Sequence, residues 1–162
     1  MSDGSRVLVA VRVAVPVERA FTAFTDQIDQ WWRPNELFEF TPGRSGTMVF
    51  EPGAEGRLLE RYEDGTEFVV GQVRVWDPPH RVVLGWRTAG FTDDQDTELH
   101  VRFDEVPGAT PQTRVTVEHF GWDRIPAAQA VRHGFPLDVF QRRFAQWWQQ
   151  QLAVLRVEVQ LD

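Results

Sequence analysis

The stretch PLDVFQRRFAQWWQQQLAVLRV, Pro136 to Val157, decides how the rest of the chain must be arranged. Leu137, Phe140, Phe144, Trp147, Trp148, Leu152 and Leu155 recur mostly at steps of three and four, which puts them on one stripe of an amphipathic α-helix. Gln141, Arg142, Arg143, Gln146, Gln149, Gln150 and Arg156 fall mostly on the other faces. No Gly or Pro interrupts the run, and Pro136 suits its first turn, where the missing N–H has no intrahelical partner to lose. The helix is expected to start near 135–138, with the residues from Val157 to Asp162 frayed. A stripe this broad and aromatic needs a concave partner, which the ~130 preceding residues must supply as a curved sheet.

Working outward, the N-terminal half of that sheet shows in a period of two. Val7, Val9, Val11, Val13 and Val15 alternate with Leu8, Ala10, Arg12 and Ala14, a strand with its valines on the core face. Pro16 opens a short helix with Val17, Ala20, Phe21 and Phe24 on one stripe, and a further turn runs through Ile28, Trp31 and Trp32 before Pro34. Six more strands are expected near 46–50, 56–62, 67–77, 81–87, 97–106 and 112–120. They are separated by Glu51-Pro52-Gly53, Asp64-Gly65, Pro78-Pro79, the polar run 92–96, and Pro107-Gly108 with Pro111. Asp64-Gly65 is the clearest hairpin, because a tight turn needs the positive φ that Gly tolerates. Residues 121–135 read as a loop or irregular helix. The order is strand, two short helices, six strands, long helix, an α+β domain spanning 1–162 with its core at about 6–157. No strand–helix–strand unit of dinucleotide-binding type appears.

Composition narrows the chemistry. The chain has 162 residues, 42% of them hydrophobic and 12% aromatic, enough for a real core and too few for two full domains. No apolar run is long enough to span a membrane and no signal-like pattern opens the chain, so a cytoplasmic protein is expected. Cysteine is absent, which removes disulfides, thiolate nucleophiles and Cys-ligated metals. All seventeen basic residues are arginine, so Schiff-base and P-loop lysine chemistry have no residue to use. The net charge of −7, with arginines scattered along the chain, disfavours a nucleic-acid surface.

Several stretches in this order resemble the START-like (SRPBCC) superfamily, with its helix-grip fold. Within it they are similar to the group related to the C-terminal domain of the activator of Hsp90 ATPase. The stretches are Val15-Pro16-Val17-Glu18-Arg19-Ala20-Phe21, then Trp31-Trp32, then Gly71-Gln72-Val73 leading to 77–83 and Trp86, then 113–122, and finally Trp148 with Leu152 and Leu155. The resemblance covers nearly the whole chain and implies a curved antiparallel sheet wrapped around the C-terminal helix. One departure stands out. The family usually has Gly-Trp on that helix, whereas this chain has Trp147-Trp148, so Trp147 occupies volume that a small residue would leave to a ligand.

The candidate site residues are Trp31, Trp32, Phe50, Trp76, Trp86, Phe103, His119, Trp122, Phe144, Trp147 and Trp148, expected between sheet and helix. Parity puts Val82, Leu84 and Trp86 on one inward face, with Leu99, Val101 and Phe103, and with Val115, Val117 and His119. A solid aromatic core is the competing reading of the same residues. His119 is the one weak catalytic candidate, an imidazole able to bond a ligand oxygen or move a proton; a histidine tied to a backbone carbonyl at the rim is the plainer expectation. Glu118 and His100 point outward, and none of the four histidines has metal-ligand spacing, so no metal and no cofactor are expected. Ser45 in Gly43-Arg44-Ser45-Gly46 is not a nucleophile elbow.

Three functions stay open. The first is a non-enzymatic domain that binds a small hydrophobic or aromatic molecule. The second, implied by the resemblance, is a co-chaperone module whose partner is a chaperone. The third is a cyclase- or hydratase-like enzyme using His119 with Glu60 or Arg87. A homodimer also stays open.

Overall fold

The computed structural model describes residues 6–160. Seven strands follow the expected breaks: β1 (Arg6–Val13), β2 (Thr47–Phe50), β3 (Arg57–Arg61), β4 (Glu67–Asp77), β5 (Arg81–Trp86), β6 (Thr97–Glu105) and β7 (Thr113–Phe120). Three α-helices accompany them: α1 (Val17–Thr25), α2 (Ile28–Trp31) and α3 (Leu137–Gln160). All neighbouring strands pair antiparallel, in the order β1-β7-β6-β5-β4-β3-β2. The first strand therefore pairs with the last, and the sheet curls around α3. This is the α+β helix-grip architecture.

Local chemistry sets the turns. Between β3 and β4, Gly65 takes φ 89°, while the Asp64 carboxylate accepts from the Thr66 N–H at 3.0 Å and the Thr66 hydroxyl at 2.6 Å. Those bonds, and Arg44 at 3.1 Å, hold the Asp64 carboxyl down at about 2. The turn between β4 and β5 contains the cis peptide Pro78–Pro79. Where β4 passes closest to β5 at Gly71, between the register irregularities of β3–β4 and β4–β5, a side chain has no room: a Cβ on Gly71 would lie 1.7 Å from the carbonyl oxygen of Gly85.

Helix α3 buries Phe140, Phe144, Trp147, Trp148, Leu152, Leu155 and Val159, each worth about 2 kcal/mol on transfer from water. The expectation of fraying from Val157 is corrected for 157–160, which are helical, because Val159 extends the apolar stripe by a further turn and is 2% exposed. Residues 161–162 lie outside the described residues. The stretch 121–135 contains two short 3-10 turns, Trp122–Arg124 and Ala130–Arg132. They are held by Arg132, which is buried and donates to the carbonyls of Trp122, Ile125 and Phe135, its guanidinium 5.2 Å from the Phe140 ring. Burial lowers the pKa of Arg132, and no carboxylate neutralises it among the described residues.

The convex face of the sheet is ionic. Glu118 points outward as its parity requires, yet it is buried, since Arg6 and Arg102 cover it at 2.9 and 2.7 Å. His100 shares that face, bonded to Glu98 at 2.8 Å and edge-on to Phe120. Among the described residues, no helix is long and apolar enough to cross a membrane.

Candidate ligand cleft between sheet and helix

The candidate aromatics form two groups within one core, joined where Trp31 meets Trp32 at 5.7 Å. The first lies under α1: Trp31 against Phe24 at 5.0 Å, Phe24 and Phe21 against Phe103 at 5.8 and 5.2 Å, and Trp76 against Phe21 and Phe50 at 5.1 and 6.0 Å. Trp31 there donates its indole N–H to the carbonyl of Ala23 at 3.0 Å, which completes its polar needs. These four candidates, Trp31, Phe50, Trp76 and Phe103, belong to the packing of α1 on the sheet.

The second cluster lies under α3 and brings together Trp32, Trp86, His119, Trp122, Phe144, Trp147 and Trp148. Trp147 contacts Phe144, Trp32 and Trp148 at 4.9, 5.2 and 5.2 Å, and Trp86 contacts His119 and Trp148 at 5.2 and 5.8 Å. Trp147 thus fills the space that its place on the helix predicted it would take.

His119 stands at the centre, fully buried, with the Trp122, Phe144 and Trp86 rings at 4.9, 5.2 and 5.2 Å. The expectation of a carbonyl-bonded histidine at the rim is corrected. Its partner is the Thr97 hydroxyl, 2.8 Å from Nε2, because β6 sets its first residue beside the inward end of β7. Thr97 spends its single proton on the Trp86 carbonyl at 2.8 Å, so it can only accept from His119. The imidazole therefore carries its proton on Nε2, and Nδ1 is a lone pair without a partner. Desolvation drives the pKa of His119 well below 6.5, with a further contribution from His100, so the ring is neutral. The indole N–H groups of Trp122, Trp147 and Trp148 are likewise buried and unpartnered.

These rings fill the space between α3 and the sheet, and none of the five main recesses of the described residues is lined by His119, Trp122 or Trp148. A segment that parity arguments could not reach covers that space. Residues 33–46 cross its mouth, with a 3-10 turn at Glu36–Phe38, and insert Phe38 and Phe40. Phe38 packs against Phe144, Phe140 and Trp147 at 5.1, 5.7 and 5.9 Å, and Phe40 against Trp86 at 5.1 Å. The segment is pinned at one end by Gln151, which accepts from the Arg33 N–H at 2.9 Å and donates to its carbonyl at 2.7 Å. In the middle, Ala89 N–H donates to Phe40 O at 2.8 Å and the His133 ring bonds Leu37 O.

At the far end Glu60 accepts from Gly46 N–H at 3.1 Å and from the Tyr62 hydroxyl at 2.6 Å, and Tyr62 bonds Thr41 at 2.7 Å. Burial, then the Glu60 bond, pushes the Tyr62 hydroxyl up to about 12. Recesses of about 120 and 80 Å³ flank the segment, the first against Val131 and His133, the second against Trp147 and Gln151. A larger one, about 300 Å³, lies away from the aromatics at the β6–β7 turn.

Glu60 and Arg87 do not join His119. Glu60 is committed to Tyr62 and Gly46, and Arg87 donates to the carbonyl of Phe91 at 3.0 Å. Among the described residues, no three metal-ligating side chains converge.

Comparison with known proteins gives this geometry relatives. No curated protein matches the chain. Among solved structures, an anthrahydroquino-γ-pyrone synthase, Txn09, complexed with a compound designated SUM, is 32% identical over 86% of each chain, with a TM-score of 0.51. CalC, a self-sacrificing resistance protein from Micromonospora echinospora, is 25% identical over 96% of this chain and 94% of its own, with a TM-score of 0.61. An Hsp90 activator from Plasmodium falciparum shares the fold, at 19% identity over 96% of each chain and a TM-score of 0.61. The family model described as "Activator of Hsp90 ATPase homolog 1-like protein" matches residues 14–160, and the chain belongs to that family.

Proposed function

We propose that the chain is a binding protein for a small planar aromatic molecule, taken into the cleft between α3 and the sheet. The observation that carries this reading is the set of unpaired ring nitrogens at His119, Trp122, Trp147 and Trp148, all inside one aromatic cluster. A buried polar group without a partner costs about 1–3 kcal/mol, and such groups gathered together mark a place where a partner is gained on binding. Phe38 and Trp147 fill the space beside these nitrogens, and a ligand's rings would take their place. The synthase at 32% identity, named for a polycyclic aromatic, supports the class of molecule. Catalysis by His119 has less support, because no carboxylate stands behind the ring to stabilise an imidazolium.

Native mass spectrometry of the freshly purified protein, beside a denatured spectrum of the same sample, tests the reading. A discrete adduct lost on unfolding, or saturable quenching of tryptophan fluorescence by an anthraquinone, is expected. The absence of both signals would overturn it. The family's description favours a second reading, contact with a chaperone. Recovery of the host Hsp90 on the immobilised chain, in the absence of any small-molecule binding, would put that reading first.

A further inference from the structure

The donors and acceptors inside the cleft are of fixed kind, and their kinds specify a ligand. The three indoles of Trp122, Trp147 and Trp148 can only donate. His119 is different. The chain of bonds from its Nε2–H to the Thr97 hydroxyl and on to the Trp86 carbonyl fixes the tautomer, so Nδ1 can only accept. The groups packed on the imidazole are the Trp86, Trp122 and Phe144 rings, none of which titrates, and the hydroxyl of Thr97. Nothing around it would hold a positive charge, so Nδ1 serves as a hydrogen-bond acceptor and not as a proton store.

We propose that the cleft selects an aromatic ligand carrying a hydroxyl and a carbonyl: the hydroxyl donates to Nδ1 of His119, and the carbonyl oxygen accepts from the indole N–H groups of α3. This proposal rests on the binding function above and narrows it to hydroxylated quinones and aryl ketones. A hydrocarbon leaves every one of these nitrogens unpaired and is rejected for that reason, since a site built to bond a polar group discriminates strongly against an analogue lacking it. Thr97 is a positioning residue, acting through the imidazole.

The test uses anthracene, 2-methoxyanthraquinone and 2-hydroxyanthraquinone, followed by quenching of tryptophan fluorescence. The 2-position matters, because a hydroxyl there has no carbonyl beside it to bond internally. The unaltered protein is expected to bind the hydroxyquinone about tenfold more tightly than its methyl ether, the worth of one buried hydrogen bond, with anthracene weakest. In His119→Phe that ratio should fall to about one.

Equal binding of hydroxyl and methoxy probes by the unaltered protein, or discrimination that survives His119→Phe, overturns the proposal and leaves the binding function standing. Binding of none of the three overturns both. Nitrogen-15 NMR of the ligand-free protein gives a readout independent of any variant's folding. The Nε2–H tautomer is expected for His119, converting toward a mixture in Thr97→Val; an Nδ1–H tautomer in the unaltered protein overturns the proposal.

Discussion

Arg132 shows how much a single side chain can hold in this fold. It sits in a loop where composition gives no reason to expect a buried cation, yet its guanidinium gathers three backbone carbonyls from the segment between β7 and α3. Arg132→Met keeps the apolar stem and leaves those carbonyls unpaired, so a loss of about 3 kcal/mol in urea unfolding is expected. A loss of only a few tenths would mean that water reaches the carbonyls. His119 was legible as an inward-facing residue from its parity with Val115 and Val117. Its partner was not, since Thr97 is twenty-two residues away and meets it only through the β6–β7 register.

Among the elements, α3 and the close contact of β4 with β5 carry the tightest packing. Trp147 projects from α3 into the space between Trp32, Phe38, Phe144 and Trp148. Trp147→Ala should lower stability by about 4 kcal/mol and, by opening an aromatic-lined cavity, increase binding of an apolar dye such as anilinonaphthalene sulfonate. Lost stability with unchanged dye binding would mean that the neighbouring rings collapse into the gap. At the β4–β5 contact, Gly71→Ala drives a methyl group into the Gly85 carbonyl. The strands there must separate, and a cost of about 3 kcal/mol is expected in thermal or urea unfolding. The helix and the strands were readable from their periods, whereas segment 33–46 was not. Its Phe38 and Phe40 are too few to mark a period, and they are held in place by Gln151, by Ala89 and by Glu60 with Tyr62, from three other places in the chain.

For the molecule as a whole, acid stability follows from the same burial. His119 is neutral when folded, with a pKa well below 6.5, but titrates near 6.5 once unfolded. Below that pH the unfolded chain binds one proton that the folded chain refuses, so stability falls as pH falls. The slope from this residue approaches ~1.4 kcal/mol per pH unit in the acid range. His119→Phe should flatten urea-derived stability from pH 6.5 down to about 5; an unchanged slope would mean that His119 takes up its proton in the folded state. At lower pH the depressed carboxyls of Asp64, Glu51, Asp94 and Glu98 act in the same direction, their stabilisation being lost as pH falls through their folded values.

Periodicity by itself determined the α+β class, the seven strands, the long helix and the inward side of β1, β5, β6 and β7, because burial on one face leaves a repeat of two or of 3.6 that survives in any single sequence. It put Trp147 on the α3 stripe, and the departure from the family's Gly-Trp pattern marked it as a residue that could fill ligand volume. Only the tertiary structure divided the aromatics into one cluster that packs α1 and another that surrounds His119, since both obey the same inward parity. Only the tertiary structure fixed the histidine's proton on Nε2 and left its Nδ1, with three indoles, unpaired. Hydrogen-bond partners between strands depend on register, which the turns and the shared buried face set and which one strand's own period does not reveal.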